Sequence, residues 1–187
     1  MLAVMGLKAA VVYESMFGNT KTVAEAIGEG LRNQDSVSEV VVLPVSKATA
    51  DDLAGVGLLV VGGPTHMRRM TSHRTREMRA QSRSYSTAHV SGGGPEPLEP
   101  ATGIGAREWL GNLDMAPPGR RAAAFDTRLS YLPAVGAAPL IAVFLRSRGY
   151  RVDAVPRCFF VESTHGPLKA GERERAFAWG VALGRQL

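Results

Sequence analysis

The sequence predicts an α/β sandwich: a doubly wound parallel sheet of five strands with helices on both faces. Three observations carry this. Residues 8–13 and 56–63 are short, continuous apolar runs of the kind buried on both faces of a parallel sheet. Stretches with helical spacing alternate with such runs along the chain. The junctions between them are rich in glycine, hydroxyls and proline, as at Gly62-Gly63-Pro64.

The elements follow in order. After the first run, Val23, Ala24, Ile27 and Leu31 recur at helical spacing, which predicts a helix over 19–32 with one stripe on the sheet. Val37 to Val45 reads as a second strand, Asp51 to Ala54 as one helical turn, and residues 56–63 as the third strand. From Met67 to Thr102 the pattern is lost: the segment is first arginine-rich, then Ser/Gly/Pro-rich. So long an irregular stretch is an insertion with a function of its own, a disordered stretch, or a misread element. A helix near 104–113 carries Trp109, Leu110 and Leu113 inward, and a strand follows at 121–126. The next helix runs over 137–148, with Pro139 in its first turn and Gly149 as its stop. Val152 to Val161 is the fifth strand, interrupted at Pro156, and 171–186 is the last helix. No repeat and no second domain is visible, so residues 1–187 read as one domain with an insertion at about 68–102.

The totals narrow the class. A chain of 187 residues can bury a sizeable core, and no apolar run approaches the ~20 residues of a membrane span. Met1 to Gly6 has no basic start and no clear cleavage site, so it does not read as a signal peptide. The single cysteine, Cys158, rules out an internal disulfide and suits a reducing, cytoplasmic compartment. The formal charge of +5 invites a nucleic-acid reading, but residues 68–83 alone hold six arginines against Glu77. The remaining segments therefore sum to zero, and the run lacks interleaved aromatics until Tyr85. Nucleic acid is a minor reading; a solvated basic segment is the commoner one.

The densest chemistry lies in "VVYESMFGNTKTVAEAIGEGL", residues 11–31, where a strand passes into a helix through Glu14, Ser15, Met16, Phe17, Gly18, Asn19 and Thr20. A helix N-terminus offers unsatisfied N–H groups and the positive end of its dipole, so it can hold a phosphate without lysine. Ser15 and Thr20 add hydroxyls, Asn19 an amide, and Gly18 lets the backbone come close. Alternatively, Asn19 or Thr20 is simply an N-cap, and composition alone leaves the two readings level. A nucleotide-binding P-loop is excluded, because Tyr13 stands where its first glycine belongs and Lys21 falls late. A dinucleotide fingerprint is absent: Gly103-Ile104-Gly105 follows no strand.

Ser15-Met16-Phe17-Gly18-Asn19-Thr20 resembles the first loop of the flavodoxin family, Ser/Thr-x-Thr-Gly-x-Thr, which holds the phosphate of FMN. "LLVVGGPTHM" at 58–67 and "AAAFDTRLSY" at 122–131 resemble that family's second and third loops, which border the flavin ring. Residues 148–168 and the last helix are similar to short flavodoxin-like proteins of the actinobacterial type. The resemblance spans nearly the whole chain except about 68–102. It implies a three-layer sandwich with strand order 2-1-3-4-5, binding of FMN, and electron transfer to a redox partner protein, an acidic one given the arginine run. It also implies site residues. Ser15, Met16, Phe17, Gly18, Asn19 and Thr20 would take the phosphate; Pro64, Thr65, His66 and Met67 would border one side of the ring; Asp126, Thr127 and Arg128 would border the other. Phe17 departs from the pattern, standing where the family usually has threonine. Of the usual flanking aromatic rings, Tyr131 is the nearby candidate in the third loop, and Met67 could add a sulfur contact.

The other candidates have plainer readings. Asp126 caps a loop or accepts backbone donors more readily than it catalyses. Arg128 approaches the pyrimidine edge or lies on the surface. His66, His73, His89 and His165 show no metal spacing, and Cys158 in an apolar strand reads as a buried, inert thiol. No Gly-x-Ser-x-Gly elbow occurs, so a hydrolase lacks its nucleophile. An FMN electron carrier is the primary expectation, with no catalytic side chain and no metal required. An FMN-dependent quinone or haem-precursor oxidoreductase is the alternative, and an interaction module that kept the fold without the flavin is the second.

Overall fold

A computed structural model describes residues 6–66, 69–70, 104–130, 136–163 and 166–187. Five parallel strands form the sheet: β1 (Leu7–Tyr13), β2 (Val37–Pro44), β3 (Val56–His66), β4 (Arg121–Leu129) and β5 (Arg157–Val161). Their order is β2-β1-β3-β4-β5, the doubly wound arrangement expected from the sequence. Four helices are described: α1 (Asn19–Arg32), α2 (Ala106–Asn112), α3 (Ala137–Ser147) and α4 (Glu172–Arg185). None is long and apolar enough to cross a membrane.

The alternation of strand side chains sorts the core into two layers. Ala9, Val11, Leu58, Val60, Ala123 and Phe125 face α1 and α4, where Ile27, Leu31, Trp179 and Leu183 meet them. Ala10, Val12, Leu59, Val61, Ala122 and Ala124 face α2 and α3, against Trp109, Leu110, Ile141 and Leu145. The middle positions of the central strands are therefore apolar on both faces, which is why they read as continuous runs. On the first face α1 and α4 come into backbone contact: a Cβ on Gly180 would lie 2.2 Å from the Ile27 carbonyl oxygen, and one on Gly30 2.2 Å from that of Phe177.

Several boundaries differ from expectation. Residues 51–54 form no helical turn. Leu53 N–H bonds to Ala50 O and Ala54 N–H to Asp51 O, two successive i to i+3 turns. Asp52 is held back by Thr49, whose N–H and hydroxyl both donate to its carboxylate, and Gly55 at φ 74° ends the stretch. The strand β3 runs on to His66, because Pro64 still pairs with Thr127 and Thr65 pairs antiparallel with Met70 of a two-residue strand, Arg69–Met70. Likewise β4 reaches Leu129, supported by its pairing with Val161 of β5. The fifth strand begins only at Arg157: upstream, Arg151 makes a lone bridge to Arg121, and Pro156, which has no N–H to give, marks the break. The expected insertion lies almost wholly outside the described residues, apart from Arg69 and Met70.

Candidate functional site

The three loops expected to form a site emerge side by side from the C-terminal ends of β1, β3 and β4. The register places Tyr13 beside Gly62, and Gly63 beside Asp126. Ligands of doubly wound sheets sit at this edge, where the strand order reverses.

In the first loop, Gly18 is the N-cap of α1 and adopts φ 89°, the left-handed region that glycine enters without strain. No side chain caps the helix from that position. Asn19 and Thr20 are the first two helical residues, so neither is the N-cap that composition allowed. The N–H groups of this first turn have no acceptor within the helix. One of them, Lys21 N–H, finds its acceptor outside the helix, donating to Ser15 Oγ at 3.2 Å. That bond leaves the serine's own hydroxyl proton free to point elsewhere. The Thr20 hydroxyl does not turn back onto its helix; it shares a 2.8 Å hydrogen bond with the hydroxyl of Thr127 and so ties the first loop to the third. Ser15, Met16 and Thr20 are buried, whereas Phe17, Gly18 and Asn19 are half-buried and form the rim. Gly166 packs against that rim: at φ 97°, a Cβ there would lie 2.7 Å from Asn19 Nδ2.

The second and third loops are joined by a polar cluster. Thr65 hydroxyl donates to Asp126 Oδ2 at 3.0 Å and accepts from Ala137 N–H at 2.8 Å. The same Asp126 oxygen accepts from Ala138 N–H at 3.0 Å, so both side chains hold the start of α3. Gly136, the N-cap of α3, is required by this contact, since a Cβ there would lie 2.1 Å from Asp126 Oδ2. Asp126 is 1% exposed, and burial pushes its pKa above the ordinary carboxylate value; the bonds from Ala138 and Thr65 and the charge of Arg128 oppose the rise.

Arg128 turns inward rather than onto the surface. Its side chain is only 13% exposed, with Nε 4.0 Å from Asp126 Oδ1 and Nη2 donating to Cys158 Sγ at 3.3 Å. Asp126 Oδ1 and Arg128 Nε have no hydrogen-bond partner among the described residues. Cys158 is half-buried rather than buried, and it serves as an acceptor for Arg128. Pro64 and Thr65 are half-buried beside this cluster, and His66 ends β3. Met67 and Tyr131 lie outside the described residues, as do His73, His89, His165 and most of the arginine run. Among the described residues no group of His, Cys, Asp or Glu could hold a metal ion.

Two residues were missed by sequence reasoning. Glu14, 1% exposed, accepts from Ala106 N–H at 2.8 Å and so holds the start of α2. Lys169 Nζ donates to Ser130 Oγ at 3.0 Å, an exposed bond that ties the third loop to the segment after β5. Neither partner is local in sequence; a buried acid at a strand end was the only available signal for Glu14.

Solved structures share this architecture. A flavodoxin from the domain Archaea superposes with a TM-score of 0.60 at 23% identity, covering 96% of this chain and 98% of that one. Flavodoxin 2 from Bacillus cereus, in its oxidised form, gives 0.63 at 20% identity, covering 96% and 99%. At these identities the likeness is one of fold. In sequence, the flavodoxin family model matches residues 11–79, which include the first two loops. The chain is flavodoxin-like in sequence and in fold. Over 60 residues this flavodoxin-like chain is 40% identical to a flavodoxin of Aquifex aeolicus (strain VF5), a stretch spanning 32% of each protein.

Proposed function

We propose that this protein binds FMN at the edge formed by its three loops and exchanges electrons through it with a redox partner. The observation that carries this reading is the uncapped start of α1. Left-handed Gly18 opens the helix with no side chain of its own to cap it, Ser15 Oγ takes only the Lys21 N–H, and the Thr20 hydroxyl is turned to Thr127, so the remaining first-turn N–H groups are left to an outside acceptor. An anion such as the FMN phosphate fits that arrangement. Bound FMN would supply the electron chemistry, which belongs to the cofactor.

The chain's own residues bind and orient. Ser15, Met16, Phe17, Gly18, Asn19 and Thr20 form the phosphate loop, mainly through backbone N–H groups, which explains how Phe17 can stand in a hydroxyl position. Pro64, Thr65, His66 and Met67 border one side of the ring, and Asp126, Thr127 and Arg128 the other. Asp126 contributes from beneath, by holding Thr65 and α3 in place, since its carboxylate is enclosed. With Asp126 and Arg128 both engaged inside the protein, they are not available as acid and base, which favours a carrier over an oxidoreductase. The described elements make one domain, with 68–102 as its insertion, and the subgroup is the actinobacterial type suggested by residues 148–168. The partner is an acidic protein in a reducing compartment, met through the arginine run.

Substituting Gly18 tests the reading. Valine at this position must adopt a left-handed backbone and would fill the approach to the first-turn N–H groups. Titration of Gly18→Val with FMN, followed by flavin fluorescence, is expected to show loss of binding. A variant that binds FMN as tightly as wild type would remove the phosphate loop from the account.

A further inference from the structure

Glu14 occupies a position that none of the three loops' presumed contacts explains. Its N–H donates to Gly62 O at 3.0 Å, which continues the β1–β3 ladder one step beyond the Tyr13–Gly62 pair. Because Gly63 pairs with Asp126 and Asp126 with Cys158, four neighbouring residues form a row across the sheet: Glu14, Gly63, Asp126, Cys158. The two carboxylates flank Gly63 on the face covered by α2 and α3, and a Cβ built on Gly63 would lie 3.6 Å from that of Ala106 and 3.9 Å from that of Glu14. Each acid takes a first-turn N–H of one helix: Glu14 that of Ala106 in α2, Asp126 that of Ala138 in α3.

We propose that Glu14 is a positioning residue for the cofactor loops, doing for α2 what Asp126 does for α3. A carboxylate this enclosed is stable only when hydrogen-bonded, and the positive end of a helix is a favourable donor. The bond joins residues 92 apart in sequence, so it fixes the start of α2 against the sheet edge. Glu14 is also the residue directly before Ser15, whose oxygen receives Lys21 N–H. A displacement of Glu14 is therefore passed along the chain to the phosphate loop and across the ladder to Gly63 of the second loop. The consequence for the cofactor rests on the FMN reading above; the hold on α2 does not.

The test compares Glu14→Ala and Glu14→Gln with wild type by amide hydrogen exchange at Ala106 and by FMN titration. Removing the acceptor should speed Ala106 exchange at least tenfold and raise the FMN Kd by about tenfold, the scale of one buried hydrogen bond. Glutamine keeps an acceptor oxygen and should restore both quantities to within about threefold of wild type. Unchanged Ala106 protection in Glu14→Ala, or a glutamine variant as impaired as alanine, overturns the proposal. Should the alanine variant fail to fold, the glutamine variant decides: wild-type exchange and affinity support the role, and their loss overturns it. A wild type that does not bind FMN overturns the cofactor reading instead, and Ala106 exchange then decides Glu14's hold on α2 alone.

Discussion

Asp126 links three things that the sequence presents separately: the second loop through Thr65, the start of α3 through Ala138, and the inward-turned Arg128. Its raised pKa gives a prediction of definite sign. The folded state holds the proton more tightly than the unfolded chain, so Asp126's contribution to stability is fully present below the unfolded value of 3.8 and is lost as pH rises through the folded pKa. Asparagine retains an acceptor for Thr65 and Ala138 and does not titrate. Urea unfolding of wild type and Asp126→Asn across the acidic range should therefore show the variant gaining on wild type as pH rises. A difference independent of pH would mean that burial does not govern this group. The role of Asp126 as an acceptor for backbone donors was legible from its place at a strand end. Arg128's inward turn was not, because nothing in "DTRL" announces that the neighbouring strand presents Cys158 on the same face.

The contact between α1 and α4 depends on glycine at Gly30 and Gly180, where backbone fills the space that a Cβ would need. Gly180→Ala should destabilise by about 1–3 kcal/mol, measured by chemical unfolding, because two helices must separate to admit one methyl group. Gly111 in α2 is the contrasting case, since nothing lies within 4 Å of a Cβ there. Gly111→Ala should stabilise by about 0.5–1 kcal/mol through helix propensity. Equal effects of the two substitutions would contradict the packing account. Helices with a clean apolar stripe, such as α1, were legible to within a residue, because the stripe is a local signal. The extensions of β3 and β4 were not, since Pro64, Thr127 and Leu129 are strand residues only by virtue of their partners. The turn at 51–54 was misread because the Thr49–Asp52 bonds compete with helix in a way that spacing does not reveal.

The chain as a whole is near neutral apart from residues 68–83, whose formal charge is +5, so its encounters with other molecules should be governed by that run. Neutralising Arg68, Arg69, Arg74 and Arg76 together should slow electron exchange with an acidic reductase at low salt and flatten its salt dependence in stopped-flow measurements. An unchanged rate and slope would make those arginines solubilising charge only. Much of the candidate site was legible at this level, because the three loops each follow an apolar run and a parallel sheet must bring such ends together. What escaped were the contacts that tie them down, Glu14 with Ala106 and Lys169 with Ser130, whose partners are brought close only by folding. The start of α1 is proposed to hold the phosphate of a flavin nucleotide. Parallel titrations of the purified protein with FMN and riboflavin, each with and without added inorganic phosphate, distinguish a phosphate site from binding through the ring alone. A phosphate site at α1 should bind one FMN per chain, bind riboflavin markedly more weakly, and show competition by phosphate against FMN alone; riboflavin binding as tightly as FMN, with no effect of phosphate, would rule that site out.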